Sequence, residues 1–179
     1  PELNGIFLSF SKQGLKFAAT DVFRLSEKTI PLAEIQTNFE ENISCLIPLK
    51  TAQEISRIAK DKLELVEVYI EENQIGFKWE DTKFISRLLE GEFPEYSSII
   101  PQSFRTKGVV SYNKLFESLK ISGVFSSRLN DVKLKFIPKE KKLVLKSADS
   151  TIGENEAVVN FESAEGEEIE ATFIYRYLL

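Results

Sequence analysis

Two stretches of the chain space their cations as a helix would. With Lys50 as origin and 100° per residue, Gln53, Arg57 and Lys60 fall within about 80° of it, and Ala52, Ile55, Ile58 and Ala59 fall opposite. A second stretch sends Tyr112, Leu115, Phe116 and Leu119 to one side and Asn113, Lys114, Glu117 and Lys120 to the other, with Arg128 a little beyond. Cations on a helix face can neutralise phosphates without reading bases. Such attachment is independent of sequence, sensitive to salt and no tighter than the ~10⁻⁴ to 10⁻⁶ M of non-specific binding. A solvated face whose lysines serve solubility is the plain alternative. No aromatic residue is interleaved with these lysines, so stacking on single-stranded bases is not indicated.

Carboxylates form the other chemically suggestive groups: Glu71-Glu72, Glu154-Asn155-Glu156 and Glu165-Gly166-Glu167-Glu168. Two opposed acids suffice for glycoside hydrolysis, but these clusters sit at predicted turns, where acids are ordinarily solvated. The chain has no histidine, which removes Ser-His-Asp and Cys-His nucleophiles, the usual catalytic zinc sets and the commonest proton shuttle. A single cysteine, Cys45, allows no internal disulfide and reads as a small buried side chain. No catalytic residue, metal site or cofactor is expected.

The elements that must position these residues are mostly strands. At 179 residues, 42% hydrophobic and 28% charged, the chain can bury a core as one large or two small domains. No apolar run approaches the ~20 residues of a membrane helix, and Pro1-Glu2-Leu3-Asn4-Gly5 lacks the regions of a signal peptide, so a soluble, cytoplasmic protein is expected. Net charge is −5, so any contact with a polyanion must come from local placement of cations.

Alternation predicts strands at Gly5–Phe10, Gly14–Ala19, Leu65–Ile70, Gln74–Trp79 and Thr82–Leu89, with Glu71-Glu72-Asn73 as a turn. Helical spacing appears at Pro48–Lys60, with proline near the helix start, and at Tyr112–Ile121. Further strands follow at Asp131–Ile137, Lys142–Lys146, Glu156–Phe161 and Ile169–Ile174. The order helix, hairpin, strand therefore occurs twice, and the segment Glu95–Gly108, flanked by Pro94 and holding Pro101, separates the copies. The expected fold class is α+β, with antiparallel β-sheets and helices packed on one face.

Three segments, in this order and spacing, carry a family resemblance. They are Leu3-Asn4-Gly5 followed by Ala19-Thr20-Asp21-Val22-Phe23-Arg24-Leu25; Ile47-Pro48-Leu49-Lys50; and Ser86-Arg87-Leu88-Leu89-Glu90-Gly91-Glu92-Phe93-Pro94-Glu95-Tyr96, ending at Ile100-Pro101. Together they resemble the bacterial sliding clamp, the beta subunit of DNA polymerase III. The likeness continues to Phe173-Ile174-Tyr175-Arg176-Tyr177-Leu178, similar to a Phe-Asn-x-x-Tyr-Leu helix opening, although Ile174 cannot cap as asparagine does.

The resemblance implies a DNA-clamp-like fold, with residues 1–100 as an incomplete second domain and 101–179 as part of a third. The family's ring is a homodimer of three-domain subunits, with helices lining the hole; ring closure is not expected of this chain by itself. It also implies two surfaces. Contact with double-stranded DNA falls to Lys50, Arg57, Lys60, Lys114, Lys120 and Arg128. A partner-peptide groove falls to Leu3, Thr20, Val22, Phe23, Arg24, Leu25, Pro94, Ser98 and Ile99, serving DNA polymerase, clamp-loader and repair proteins through short linear motifs. Ordinary core is the alternative for the apolar members, Leu25 above all. Val22 and Phe23 stand where the family often has glycine and a polar or aromatic residue. Nucleoid-associated, non-enzymatic, membrane-free action follows from the resemblance, and a protein-binding adaptor without DNA contact is the rival reading.

Overall fold

The first two alternating segments form β1 (Gly5–Ser11) and β2 (Gly14–Thr20), an antiparallel pair that sets Leu8 opposite Phe17 and Phe7 opposite Ala18. The computed structural model describes residues 2–39, 41–59 and 65–179. The chain divides into two compact units, Pro1–Ser97 and Ser98–Leu179.

In the first unit β3 (Leu25–Pro31) pairs with β2 and β4 (Ile43–Pro48) with β1, completing a sheet in the order β3-β2-β1-β4. Helix α1 (Leu49–Ile58) follows directly, with Pro48 at φ −55° immediately before its first residue, where a missing N–H leaves no bond unmade. The chain then meanders through β5 (Glu67–Ile70), β6 (Gln74–Trp79) and β7 (Thr82–Arg87). The two sheets join where the Leu89 N–H donates to the Leu46 carbonyl at 2.8 Å. Leu8, Ile47, Ile75, Phe77 and Trp79 form the core, with Ile55 and Ala59 of α1 packed against it. Full burial of a side chain of this size contributes roughly 1.5–3 kcal/mol. The Thr51 hydroxyl, also buried, shares a hydrogen bond of 2.6 Å with Ser86 and so ties α1 to β7. Cys45 on β4 is a free, half-buried thiol, pushed up to about 11 by burial.

In the second unit β8 (Thr106–Val110) leads into α2 (Tyr112–Val124), and β9 (Asp131–Ile137), β10 (Lys142–Asp149), β11 (Gly153–Gly166) and β12 (Ile169–Ile174) follow. One antiparallel sheet results, in the order β12-β9-β10-β11-β8. Strand β11 is long because it changes partner, from β10 up to Asn160 to β8 from Phe161, with an irregularity between Phe161 and Ser163. At that crossover the Phe161 ring lies against Gly108, where an added Cβ would come within 2.3 Å of a ring carbon. Leu119 of α2 joins Val132, Leu134, Leu143, Leu145, Val159 and Phe161 in the core.

The antiparallel α+β class, with a helix on one side of each strand system, is the class expected. Several details differ. Strands β3, β4 and β8 were not expected, and β11 runs well beyond Glu156–Phe161. Strand β3 is mostly exposed and polar, so alternation does not reveal it; backbone pairing with β2 makes it. The clusters Glu154–Glu156 and Glu165–Gly166 lie in β11 rather than in turns, and Glu156 is held there by Lys146 across the ladder. Tyr112 does not join the α2 core face: it is exposed and stacks on Phe116, while Ser122 is fully buried and donates to Asn155 Oδ1 at 3.3 Å. Ile58 is likewise partly exposed, because α1 turns Thr51 and Ile55 inward. Tyr175–Tyr177 forms a single 3₁₀ turn, and Ile174 supplies no capping bond. Among the described residues no helix is long and apolar enough to cross a membrane.

Candidate functional site

The turn between β2 and β3 is built from its own polar side chains. The Asp21 carboxylate accepts the backbone N–H groups of Phe23 and Arg24 at 3.1 and 2.8 Å, an Asx-type turn. Its second oxygen accepts Arg24 Nε and Nη2 at 2.9 and 2.8 Å, a two-pronged contact that suits the planar guanidinium. The Arg24 side-chain and backbone donors hold the Asp21 carboxyl below its usual range. The Thr20 hydroxyl donates to the Arg24 carbonyl at 2.6 Å and accepts the Val22 N–H at 3.2 Å. With both ends fixed, the two tip residues are thrust outward, Val22 75% and Phe23 78% exposed.

Val22 has φ +77°, the left-handed region that a β-branched side chain rarely adopts. The bonds around it supply the energy that keeps it there. Leu25, one residue beyond the turn, is half-buried and opens β3.

Beside this hairpin lies a strap formed by Phe93–Tyr96. Phe93 stacks on Phe7 of β1 at 5.2 Å between centroids, and Tyr96 meets Phe93 edge-on at 5.8 Å. The Tyr96 hydroxyl donates to Glu27 of β3 at 2.6 Å, and Lys16 of β2 pairs with the same carboxylate at 3.3 Å. The Tyr96 bond, with Lys16 behind it, lowers the Glu27 carboxyl, whereas burial first and Glu27 second raise the Tyr96 phenol. Pro94 is exposed between these anchors.

Thr20, Val22, Phe23, Arg24 and Leu25 thus share one turn, Leu3 lies exposed in the 3₁₀ turn Glu2–Asn4 before β1, and Pro94 sits in the strap, all in the first unit. Ser98 and Ile99 belong to the second unit, both exposed. Asp21, Glu27 and Tyr96 are structural members that the sequence reading did not single out. The Asx spacing from Asp21 to Phe23 and Arg24 was the available signal for the first; nothing in local sequence links Tyr96 to Glu27.

The basic residues differ in their partners, and exposed Lys28, Lys83 and Arg87 on strands of the first unit, like Lys139 and Lys141 of the second, also make no ion pair among the described residues. On the second unit's sheet, Lys133, Lys135 and Lys146 each pair with a carboxylate, those of Glu170, Glu168 and Glu156, at 2.6–3.2 Å. On and after the helices, Lys50, Lys114 and Arg128 are exposed and make no ion pair among the described residues. Arg57 is held by Glu54 at 2.7 Å, and Lys120 sits 4.3 Å from the Phe116 ring centroid, so an aromatic does accompany one of these lysines. Lys60 lies outside the described residues. No metal-binding group of His, Cys, Asp and Glu occurs among the described residues.

Residues 1–95 match the family model for the central domain of the DNA polymerase III beta subunit. The chain is 30% identical to the beta sliding clamp of Bacillus subtilis and 28% identical to that of Streptococcus pneumoniae, each alignment covering the whole chain and 47% of the relative. Among solved structures, the Bacillus subtilis DNA polymerase sliding clamp superposes with a TM-score of 0.89 at 29% identity, covering 99% of this chain and 46% of that one. The Thermotoga maritima DNA polymerase III beta subunit gives 0.79 at 30% identity, with 99% and 47% covered. The chain spans about half the length of the relatives it matches. With more than half of its residues inside the family model and its fold reproduced, the chain belongs to the DNA polymerase III beta-subunit family, the non-catalytic sliding clamps of bacterial DNA replication.

Proposed function

We propose that this chain serves as part of a processivity clamp: a DNA-facing surface that slides, joined to a docking surface for replication and repair proteins. Residues 1–100 act as a second clamp-like domain and 101–179 as part of a third. Double-stranded DNA is met non-specifically by Lys50, Arg57, Lys60, Lys114, Lys120 and Arg128. Short linear motifs of DNA polymerase, clamp-loader and repair proteins dock at Leu3, Thr20, Val22, Phe23, Arg24, Leu25, Pro94, Ser98 and Ile99. Such work belongs in the cytoplasm, at the nucleoid.

The observation that carries this reading, beyond family membership, is the presence of exposed cations, unpaired among the described residues, on or just after both helices. Strand lysines of the second unit are neutralised by neighbouring carboxylates, while Lys50, Lys114 and Arg128 keep their charge available. Unpaired surface cations release counterions on meeting phosphate, whereas paired ones must first break a contact. The exposed Val22 and Phe23 support the docking surface, since a turn held by six side-chain bonds that displays two apolar residues suits recognition better than packing.

Retention on nicked circular duplex DNA, measured from 50 to 200 mM salt, tests the first surface. About five phosphate contacts give a slope near −4.5, a loss on the order of a few hundredfold across that range. Absent or salt-independent retention would instead favour an adaptor that binds only proteins, the reading that the net charge of −5 supports. Titration with a fluorescein-labelled glutamine- and leucine-rich peptide tests the second surface: binding at ~10⁻⁵ M or weaker is expected. Substituting Phe23 by serine should weaken it.

A further inference from the structure

The register of the first sheet places Phe7, Ala18 and Glu27 in one row across β1, β2 and β3, on the face away from the core residue Leu8. The two outer members of that row are the two anchors of the strap: Phe7 holds the Phe93 ring and Glu27 holds the Tyr96 hydroxyl. Ala18, between them, is only 1% exposed. The aromatic pair therefore spans the sheet over the smallest side chain of the row. Tyr96, 7% exposed, keeps its one polar atom satisfied by a carboxylate 69 positions away in sequence.

This row lies two residues from the pair Thr20–Leu25 that closes the displayed turn, about 7 Å along the strands. The strap and the turn thus stand on one rigid hairpin, and Pro94, fixed on both sides by Phe93 and Tyr96, is referenced to the same strands as Val22 and Phe23.

We propose that the strap is the positioning device of the docking surface: the Tyr96–Glu27 hydrogen bond and the Phe93–Phe7 stack hold Pro94 in register with the Thr20–Leu25 turn, and a bound peptide depends on that register. Tyr96 and Glu27 are positioning residues that act through Pro94. The proposal rests on the docking reading above and adds what sets its affinity. A peptide that touches both the turn and Pro94 loses affinity when the strap shifts, even with every contacting side chain unchanged.

The test uses the whole chain and the fluorescein-labelled peptide, well below the unfolding temperature. Tyr96→Phe keeps the ring stack and removes only the hydroxyl, and Glu27→Gln keeps an acceptor of the same size without the charge. Tyr96→Phe is expected to weaken the peptide about fivefold and Glu27→Gln, whose amide oxygen still accepts a weaker bond, by less, with the far-ultraviolet spectrum and the salt-dependent DNA retention unchanged. A merely structural role would not link these changes to Pro94, so the deciding measurement is a double-mutant cycle: in a Pro94→Ala background the Tyr96→Phe effect should shrink to less than about twofold. Ala18→Val, which lifts the strap without touching the hydrogen bond partners, should also weaken binding. Full affinity in Tyr96→Phe alongside lost affinity in Phe23→Ser would overturn the strap and leave the docking surface standing. The same loss with and without Pro94 would also overturn it. No peptide binding by the unaltered chain would overturn both.

Discussion

Replacing Val22 by glycine separates folding from recognition. At φ +77° the valine occupies a region that costs an L-residue roughly 1–2 kcal/mol. Glycine adopts it freely, but its looser unfolded chain returns roughly 0.5–1 kcal/mol of that gain. A net stabilisation of about 0.5–1 kcal/mol is therefore expected, equivalent to an upward shift of a few degrees for the cooperative unit concerned. Binding should move the other way. The lost side chain is 75% exposed, and burying a valine against a partner is worth roughly 1.5 kcal/mol, so peptide affinity should fall about tenfold. Calorimetric melting and the peptide titration, run on the same preparations with Val22→Ala beside them, read both effects. Alanine keeps the unfavourable backbone and should show the affinity loss with little of the thermal gain. A glycine variant that melts lower, or a matching thermal gain in alanine, would refute the account of a conformationally taxed display turn.

Three other outcomes are expected. Charge reversal of Lys50 with Lys114 should flatten the salt dependence of DNA retention by about two contacts' worth of slope. Reversal of Lys133 with Lys146, whose partners already neutralise them, should change retention far less. Glu27 and Asp21 have carboxyls lowered from ordinary values of 4.5 and 3.8, so the stability they contribute is complete above those values and fades as pH falls through the folded ones. Urea midpoints should accordingly drop below about pH 4.5, with Tyr96→Phe reducing the Glu27 share of that drop. Gly108→Ala, which drives a methyl group to 2.3 Å from the Phe161 ring, should destabilise the second unit by about 1–3 kcal/mol on a urea curve, with Phe161→Leu restoring part of the loss.

What could be read from the residues was whatever local spacing encodes. The helices declared themselves because Ile55 and Ala59, or Leu115 and Leu119, recur at helical intervals over a core. Strands β1, β2, β6 and β9 did so by alternation. Strand β3 did not, since Ser26, Glu27, Lys28 and Thr29 are all exposed and its pairing comes from backbone alone. On α2 the projection counted Tyr112 on the apolar side and stopped at Ile121, one residue short of the buried Ser122. At the display turn, a position where relatives often carry glycine was recognised from resemblance, and the left-handed backbone supplies its reason. The strap segment was visible in the resemblance but its anchoring was not: the partnership of Tyr96 with Glu27 joins residues 69 apart, and no local pattern announces a bond between them.

The lone thiol on β4 has a practical consequence. With Cys45 half-buried and pushed up to about 11, only ~1 in 10⁴ of these sulfurs is ionised at neutral pH. Maleimide chemistry therefore meets a nearly silent background. A fluorophore or spin probe attached to a cysteine introduced at Phe23 or Ile99 would report from that address alone, with the native sulfur left in place and β4 undisturbed.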